Sequence, residues 1–162
     1  MAWSLIVEEL PLMSQRETAA AIRLRDKVCR PKDRWERVEN GVVAGMPDVN
    51  YVIAGQEGWI EVKTPHEPAR EDTALFGSSN HNIELEQSNW FLKQLNAGGR
   101  AFLFIATERR VMVLDCRTVA MRHDLNKLSA VTLQKIALWA SELPVKDPER
   151  WFGLREILCG PV

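Results

Sequence analysis

Glu61 and Lys63 stand two residues apart at the end of the segment GMPDVNYVIAGQEGWIEVK, which begins at Gly45. In an extended strand that spacing puts both side chains on one face and Ile60 and Val62 on the other. Asp48 opens the preceding extended stretch. A hairpin pairing Ile53 with Gly58 sets Asp48 opposite Lys63 and Asn50 opposite Glu61, with all four on one face. Asp48 and Glu61 are then diagonal neighbours, about 7–8 Å apart at the backbone, and both carboxylates can reach one cation. A slip of one residue turns Asp48 to the opposite face and removes the cluster.

Two acids and a lysine at a strand end suit metal-assisted hydrolysis of a phosphodiester. Carboxylate oxygens hold Mg²⁺ or Mn²⁺, which keeps several of its waters. The ion lowers the pKa of a bound water and neutralises charge building on the phosphate. Lys63 can orient that water or contact the phosphate, and the Val62 carbonyl is a further oxygen donor. An ExK triplet alone is common on exposed strands, so the weight lies on turn, hairpin and triplet together. Glu39 lies near Asp48 if it shares a face with Trp35 and Arg37; otherwise it is a surface acid paired with a nearby arginine.

The elements that must hold these residues follow from local pattern. Ser14 and Glu17 form a capping-box pair, and Ala21, Leu24 and Val28 share the face of the helix it opens, which Pro31 ends. Strands are expected at 49–53 and 59–64, with a turn over 54–58. A polar loop over 65–82 is long enough to suggest a functional flap. A helix over 83–96, with Leu85, Ser88, Leu92 and Leu95 on one face, stops at Gly98 and Gly99. The run AFLFIA at 101–106 reads as a strand buried on both faces, followed by a strand over 111–114. Helices are expected over 125–143 and 148–159. The order α-β-β-α-β-β-α is an α/β architecture with a mixed sheet flanked by helices.

The chain has 162 residues, 46% hydrophobic and 27% charged, which suits one domain, 1–162, with its own core. The core is expected over about 14–115, with a helical extension over about 116–162. No apolar stretch is long enough to span a membrane. The start, MAWSLIVEELPLM, lacks a basic leader, so no secretory signal is expected. Three cysteines without CxxC spacing argue against zinc-ribbon and disulfide scaffolds and suit a reducing, cytoplasmic setting. The net charge of −1 does not announce a nucleic-acid binder, but its distribution is uneven. Eight Lys or Arg face four acids between Arg16 and Arg37, and seven acids face two bases between Glu57 and Glu86. Arg23, Lys27, Arg30, Lys32, Arg34 and Trp35 are the candidate DNA contacts. His66, His81, Arg109 and Arg110 are lesser ones, for which solvated loops are the plain alternative. Trp59 and Trp90 read as core.

The segments GMPD (45–48), WIEVK (59–63), EQSNWFL (86–92) and GGRAFLFIA (98–106) together resemble the PD-(D/E)xK nuclease superfamily, and within it the VRR-NUC branch and small phage or prophage nucleases. The resemblance spans about 38–115. It implies a restriction-endonuclease-like core and a metal-dependent deoxyribonuclease, acting as an endonuclease in the cytoplasm of a bacterium or phage-infected host. It implies Asp48 and Glu61 as metal ligands, Lys63 as the catalytic lysine and Gln87 as the helix glutamine beside the site. The family usually adds an acid from the first helix, and Glu17 is the candidate. Related folds pair as homodimers to cut two strands. A Holliday-junction-resolvase-like enzyme, a non-catalytic DNA-binding module and a hydrolase of another phosphate ester are the competing readings. The long 65–82 loop departs from the narrower pattern.

Overall fold

The computed structural model describes residues 14–39, 43–77 and 81–161; the segment MAWSLIVEELPLM and Asn40 lie outside the described residues. Helix α1, Gln15–Val28, is opened by the expected capping box, with Glu17 N–H donating to Ser14 Oγ at 3.2 Å and Ser14 N–H donating to Glu17 Oε2 at 2.8 Å. Strands β1 (Arg34–Arg37), β2 (Val49–Ile53) and β3 (Gln56–Lys63) form an antiparallel meander. Helix α2 (Leu85–Asn96) then crosses to β4 (Ala101–Ala106), which pairs parallel with β3. Strands β5 (Arg110–Asp115) and β6 (Trp139–Glu142) complete a six-stranded mixed sheet in the order β1-β2-β3-β4-β5-β6.

The sheet is covered on both faces. On one face α1 lays down Ala21, Leu24 and Val28, and helix α5 (Glu149–Cys159) lays down Trp151, Leu154 and Leu158, against Val49, Tyr51, Ile60, Val62, Phe102 and Phe104. On the other face Phe91 of α2, Val119 of α3 (Cys116–Met121) and Leu133 of α4 (Ala130–Ile136) pack on Leu103, Ile105, Met112 and Leu114. The AFLFIA strand is therefore central and buried from both sides, as its unbroken apolar run requires.

The β2–β3 register differs from the expected one. Ile53 pairs with Gln56, not Gly58, because the turn is only Ala54-Gly55. Both turn residues have positive φ, +50° and +80°, the requirement of a tight two-residue hairpin. Asp33 Oδ1 accepts the Ala54 N–H at 3.0 Å and steadies the left-handed alanine. The shift is two residues, so the parity of every side chain survives. Val49 faces Ile60, and one more step of the ladder sets Asp48 directly opposite Glu61 rather than diagonal to it.

Two other expectations give way, and the 65–82 loop gains an anchor. The helix expected over 125–143 is a single 3₁₀ turn at Leu125–Lys127, then α4, then β6. Ser129 caps α4 through a bond from Thr132 N–H, and Trp139 and Ser141 are buried at strand spacing. The segment after residue 115 is thus not only helical: it adds an edge strand to the sheet and α5 to its core. The 65–82 loop is anchored rather than free along part of its length, since Leu75 and Phe76 are buried and Leu75 N–H donates to Leu128 O at 2.9 Å. On α2 the inward residue is Phe91, while Leu85 is 68% exposed. No described helix is long and apolar enough to cross a membrane.

Candidate active site

Asp48, Glu61, Lys63 and Gln87 come together where β2 begins and β3 ends. Glu61 and Lys63 are buried, with Lys63 Nζ 3.2 Å from Glu61 Oε1. Asp48 Oδ2 accepts the Val62 N–H at 2.9 Å, and the two carboxyls lie close enough to act on each other's charge. The Gln87 amide donates to the same Oε1 that Lys63 touches.

The orientation of Gln87 is itself fixed by helix capping. Its Oε1 accepts the Glu84 N–H at 3.0 Å, completing a capping box at the start of α2, so the amide N–H₂ points at Glu61. The glycine of the GMPD segment holds the two elements together. Gly45 has φ +77°, and a Cβ there would lie 2.1 Å from the Glu86 carbonyl oxygen and 2.6 Å from the Gln87 nitrogen. The strand-entry loop thus packs against the first turn of α2 at a distance only glycine allows.

Burial pushes the Glu61 carboxyl well above the carboxylate range, and the adjacent Asp48 raises it further. Burial likewise raises Asp48, with Glu17 adding to the effect through its charge. Two crowded carboxyls of raised pKa form a donor set that a hard divalent cation would relieve, so the residues fit such an ion. Among the described residues no three His, Cys, Asp or Glu side chains converge on one point. A cation here would be held by the two carboxylates, main-chain oxygen such as that of Val62, and water.

The third-acid candidates stand apart from the pair. Glu17 is near enough to act on Asp48 by charge, but its carboxylate takes the Ser14 N–H and lies 3.4 Å from His81 Nδ1. Glu39 is exposed and pairs with Arg37 at 3.9 Å. The basic candidates Arg23, Lys27, Arg30, Lys32 and Arg34 are all exposed, along α1 and into β1. Arg30 lies over the Phe152 ring at 5.8 Å, and Arg34 donates to Asn50 Oδ1 at 2.8 Å. Trp35 is half-buried and stacks on Tyr51, with centroids 6.3 Å apart. Arg110 is committed to a bidentate pair with Glu67, and Arg109 is exposed. His66 joins Arg16 and Glu108 at the surface. Asn50 keeps the face of Glu61 but sits opposite Trp59, bonded to Glu57 and Gly58 O.

Reading the sequence alone missed the His81–Glu17 contact and Thr64. Thr64, next to Lys63, is buried, and its hydroxyl finds no hydrogen-bond partner among the described residues. Nothing in its local pattern distinguishes it from a strand-end threonine.

With this geometry in hand, the fold can be matched to a known one. The chain is similar to Hjc, a Holliday junction resolvase from the archaeal hyperthermophile Archaeoglobus fulgidus. The TM-score is 0.51 at 14% identity, over 77% of this chain and 92% of the resolvase. The restriction-endonuclease-like fold is therefore the fold observed: a mixed sheet flanked by helices. No protein-family model and no curated protein sequence matches the chain.

Proposed function

We propose that this chain is a divalent-metal-dependent endonuclease that hydrolyses DNA phosphodiester bonds. The observation that carries the reading is half-buried Asp48 set beside buried Glu61, with Lys63 at 3.2 Å from Glu61, on one sheet face of a nuclease-like fold. Bound Mg²⁺ or Mn²⁺ would polarise the phosphate and supply a water of lowered pKa. Asp48 and Glu61 hold the ion. Gln87 and Lys63 hold the Glu61 carboxylate in place for it. The ammonium of Lys63 also has protons left for the attacking water or the phosphate. Arg23 and Lys27 on the outer side of α1, with Arg30 just past its end, bind the phosphate backbone. Among the described residues the acid cluster itself carries no group aimed at base edges, which favours DNA shape over sequence as the recognised feature.

Two substrates follow from two observations. The fold likeness to a Holliday junction resolvase favours a four-way junction, cut by a homodimer that brings one site to each of two strands. The sequence motifs at 45–48, 59–63 and 86–92 favour a VRR-NUC-like enzyme of phage type. The test is cleavage of linear duplex, nicked, single-stranded and four-way DNA with Mg²⁺, Mn²⁺ or EDTA. Symmetric metal-dependent cuts in the four-way DNA support the resolvase reading, and preference for other forms supports the second. DNA binding with no cleavage under any metal would leave a non-catalytic module, and hydrolysis of small phosphate esters unaffected by DNA would leave another hydrolase.

A further inference from the structure

Three hydrogen-bond donors from two separate segments close on the carboxylate of Glu108. Arg16 Nη2 donates to Oε1 at 3.1 Å, His66 Nδ1 donates to the same oxygen, and the Glu67 main-chain N–H donates to Oε2 at 3.1 Å. Arg16 Nη1 also donates to His66 Nε2 at 2.6 Å. A guanidinium can only donate, so Nε2 accepts and Nδ1 carries the proton that reaches Glu108. The result is a cradle of N–H groups, one of them cationic, around the two oxygens of one anion. Burial works against that anion, yet the Glu67 and Glu108 N–H groups and then His66 hold its pKa down to about 2.

The loop that carries His66 is fastened by other contacts. Glu67 makes a bidentate pair with Arg110 and accepts the Thr107 hydroxyl, and the side chains of that pair are only 5% and 11% exposed. Arg16, Glu108 and His66 are open to solvent, at 41%, 46% and 78%. An exposed ion pair adds little stability, so the contacts of Glu108 can be exchanged for others at small cost.

The cradle adjoins the acid cluster. Arg16 directly precedes Glu17, whose charge acts on Asp48. His66 follows Lys63 by three residues, at most about 11 Å of chain. Glu108 follows Ile105 by three residues, and Ile105 pairs with Lys63 in the parallel β3–β4 ladder. The β4–β5 turn therefore lies at the end of the sheet where Lys63 lies. A DNA phosphodiester presents what Glu108 presents, one negative charge shared by two oxygens. With one phosphate per ~3.4 Å of axis along each strand, the cradle is in range of a phosphate within about three nucleotides of one held at Lys63.

We infer that Arg16, His66 and the Glu67 N–H form a second phosphate subsite beside the scissile phosphate, and that Glu108 fills it in the free protein as an internal phosphate mimic that DNA must displace. The inference rests on the nuclease reading and adds to it a binding site that the protein itself occupies.

The test is a double-mutant cycle on binding of fluorescein-labelled linear duplex and four-way DNA, measured in EDTA at several salt concentrations. Glu108→Ala and Glu108→Gln should each tighten binding about two- to fivefold, the scale of an exposed ion pair that no longer has to be broken. Arg16→Ala should weaken binding and lower the salt slope by ~1 unit. In the Arg16→Ala background the gain from Glu108→Ala should largely vanish, because the cation it frees is gone. Thermal melts check that each variant is folded, and His66→Ala closes the same cycle if Arg16→Ala is not. An equal gain in both backgrounds would show that Glu108 only repels DNA at long range, and no gain from either change at 108 would show that it only pins the turn. Either result would overturn the inference and leave the nuclease reading standing. The expected cycle in a chain that never cleaves with Mg²⁺ or Mn²⁺ would support the subsite and overturn the nuclease reading. No binding of any DNA by wild type would overturn both.

Discussion

Val62 N–H donates to Asp48 Oδ2 at 2.9 Å, so the acid at the start of β2 is fastened to the strand that carries Glu61 and Lys63. One carboxylate oxygen is anchored by the main chain while the carboxyl keeps its contact with Glu61. The acid pair is therefore held by backbone geometry, not by side-chain packing alone.

This arrangement predicts a division of labour. Asp48→Asn and Glu61→Gln should weaken Mn²⁺ binding and slow single-turnover cleavage by more than about a hundredfold, since even partners outside the ligand set typically cost 10–100-fold. Lys63→Ala should slow cleavage but leave Mn²⁺ affinity unchanged or slightly raised, because a positive charge beside the ion is gone. Calorimetric Mn²⁺ titration alongside cleavage kinetics separates the two. Full activity in Lys63→Ala would remove the lysine from the chemistry.

Gln87→Ala should reduce cleavage roughly 10–100-fold through Glu61, not through substrate contact. The same change also removes a capping interaction at the Glu84 N–H, at a stability cost of about 0.5–2 kcal/mol. A thermal melt run beside the kinetics tells the two effects apart.

Glu17 separates from the acid pair in the same kind of experiment. As a helix cap and partner of His81, its change to Gln should cost about 1 kcal/mol or less and leave Mn²⁺ affinity nearly intact. A severe loss of metal affinity in Glu17→Gln would instead make it a ligand once the ion is bound.

Gly45→Ala should destabilise the protein by about 1–3 kcal/mol, from a strained positive φ and a Cβ driven into the α2 backbone. Because the clash falls at Glu86 and Gln87, the variant should also lose cleavage activity at temperatures where it remains folded. Urea unfolding and an activity assay at low temperature measure each part. A variant with wild-type stability would show that the loop and helix are not in the contact described.

Much of this was legible before any coordinates, for a physical reason. Side-chain parity along a strand depends only on whether the register is odd or even. A turn misjudged by an even number of residues therefore still brought Asp48, Glu61 and Lys63 to one face. The exact opposition of Asp48 and Glu61 was not legible, because it depends on Ala54 accepting a left-handed conformation that its type disfavours. The 125–143 segment misleads because Leu, Ala, Gln and Lys favour helix, and the buried alternation of Trp139 and Ser141 spans only four residues. In the 65–82 loop, Leu75 and Phe76 were an apolar signal inside a polar tract, and they are what anchors it.

The raised Glu61 and Asp48 carboxyls should make stability grow as pH falls toward their ordinary values, whereas the loss at lower pH should come from a site remote from the chemistry. Arg155 holds the Asp33 carboxyl well below its ordinary value of 3.8, and Asp33 also accepts N–H bonds from Arg30 and Ala54. A lowered folded-state pKa means that the stabilisation is full above the ordinary value and is lost as pH falls toward the folded one. Wild-type protein should therefore lose stability progressively below about pH 5, and Asp33→Asn should flatten that slope while starting from a lower plateau at neutral pH. Urea midpoints from pH 7 to pH 3 check both; an unchanged slope in the variant would assign acid lability elsewhere.

The most direct test of the central claim is single-turnover cleavage of a four-way DNA junction by wild-type protein and by Glu61→Gln, each with Mg²⁺ and with EDTA. The account predicts cleavage by the wild type only with metal, and almost none by the variant although it still binds the junction. Cleavage by Glu61→Gln at the wild-type rate, or wild-type cleavage that persists in EDTA, would contradict it.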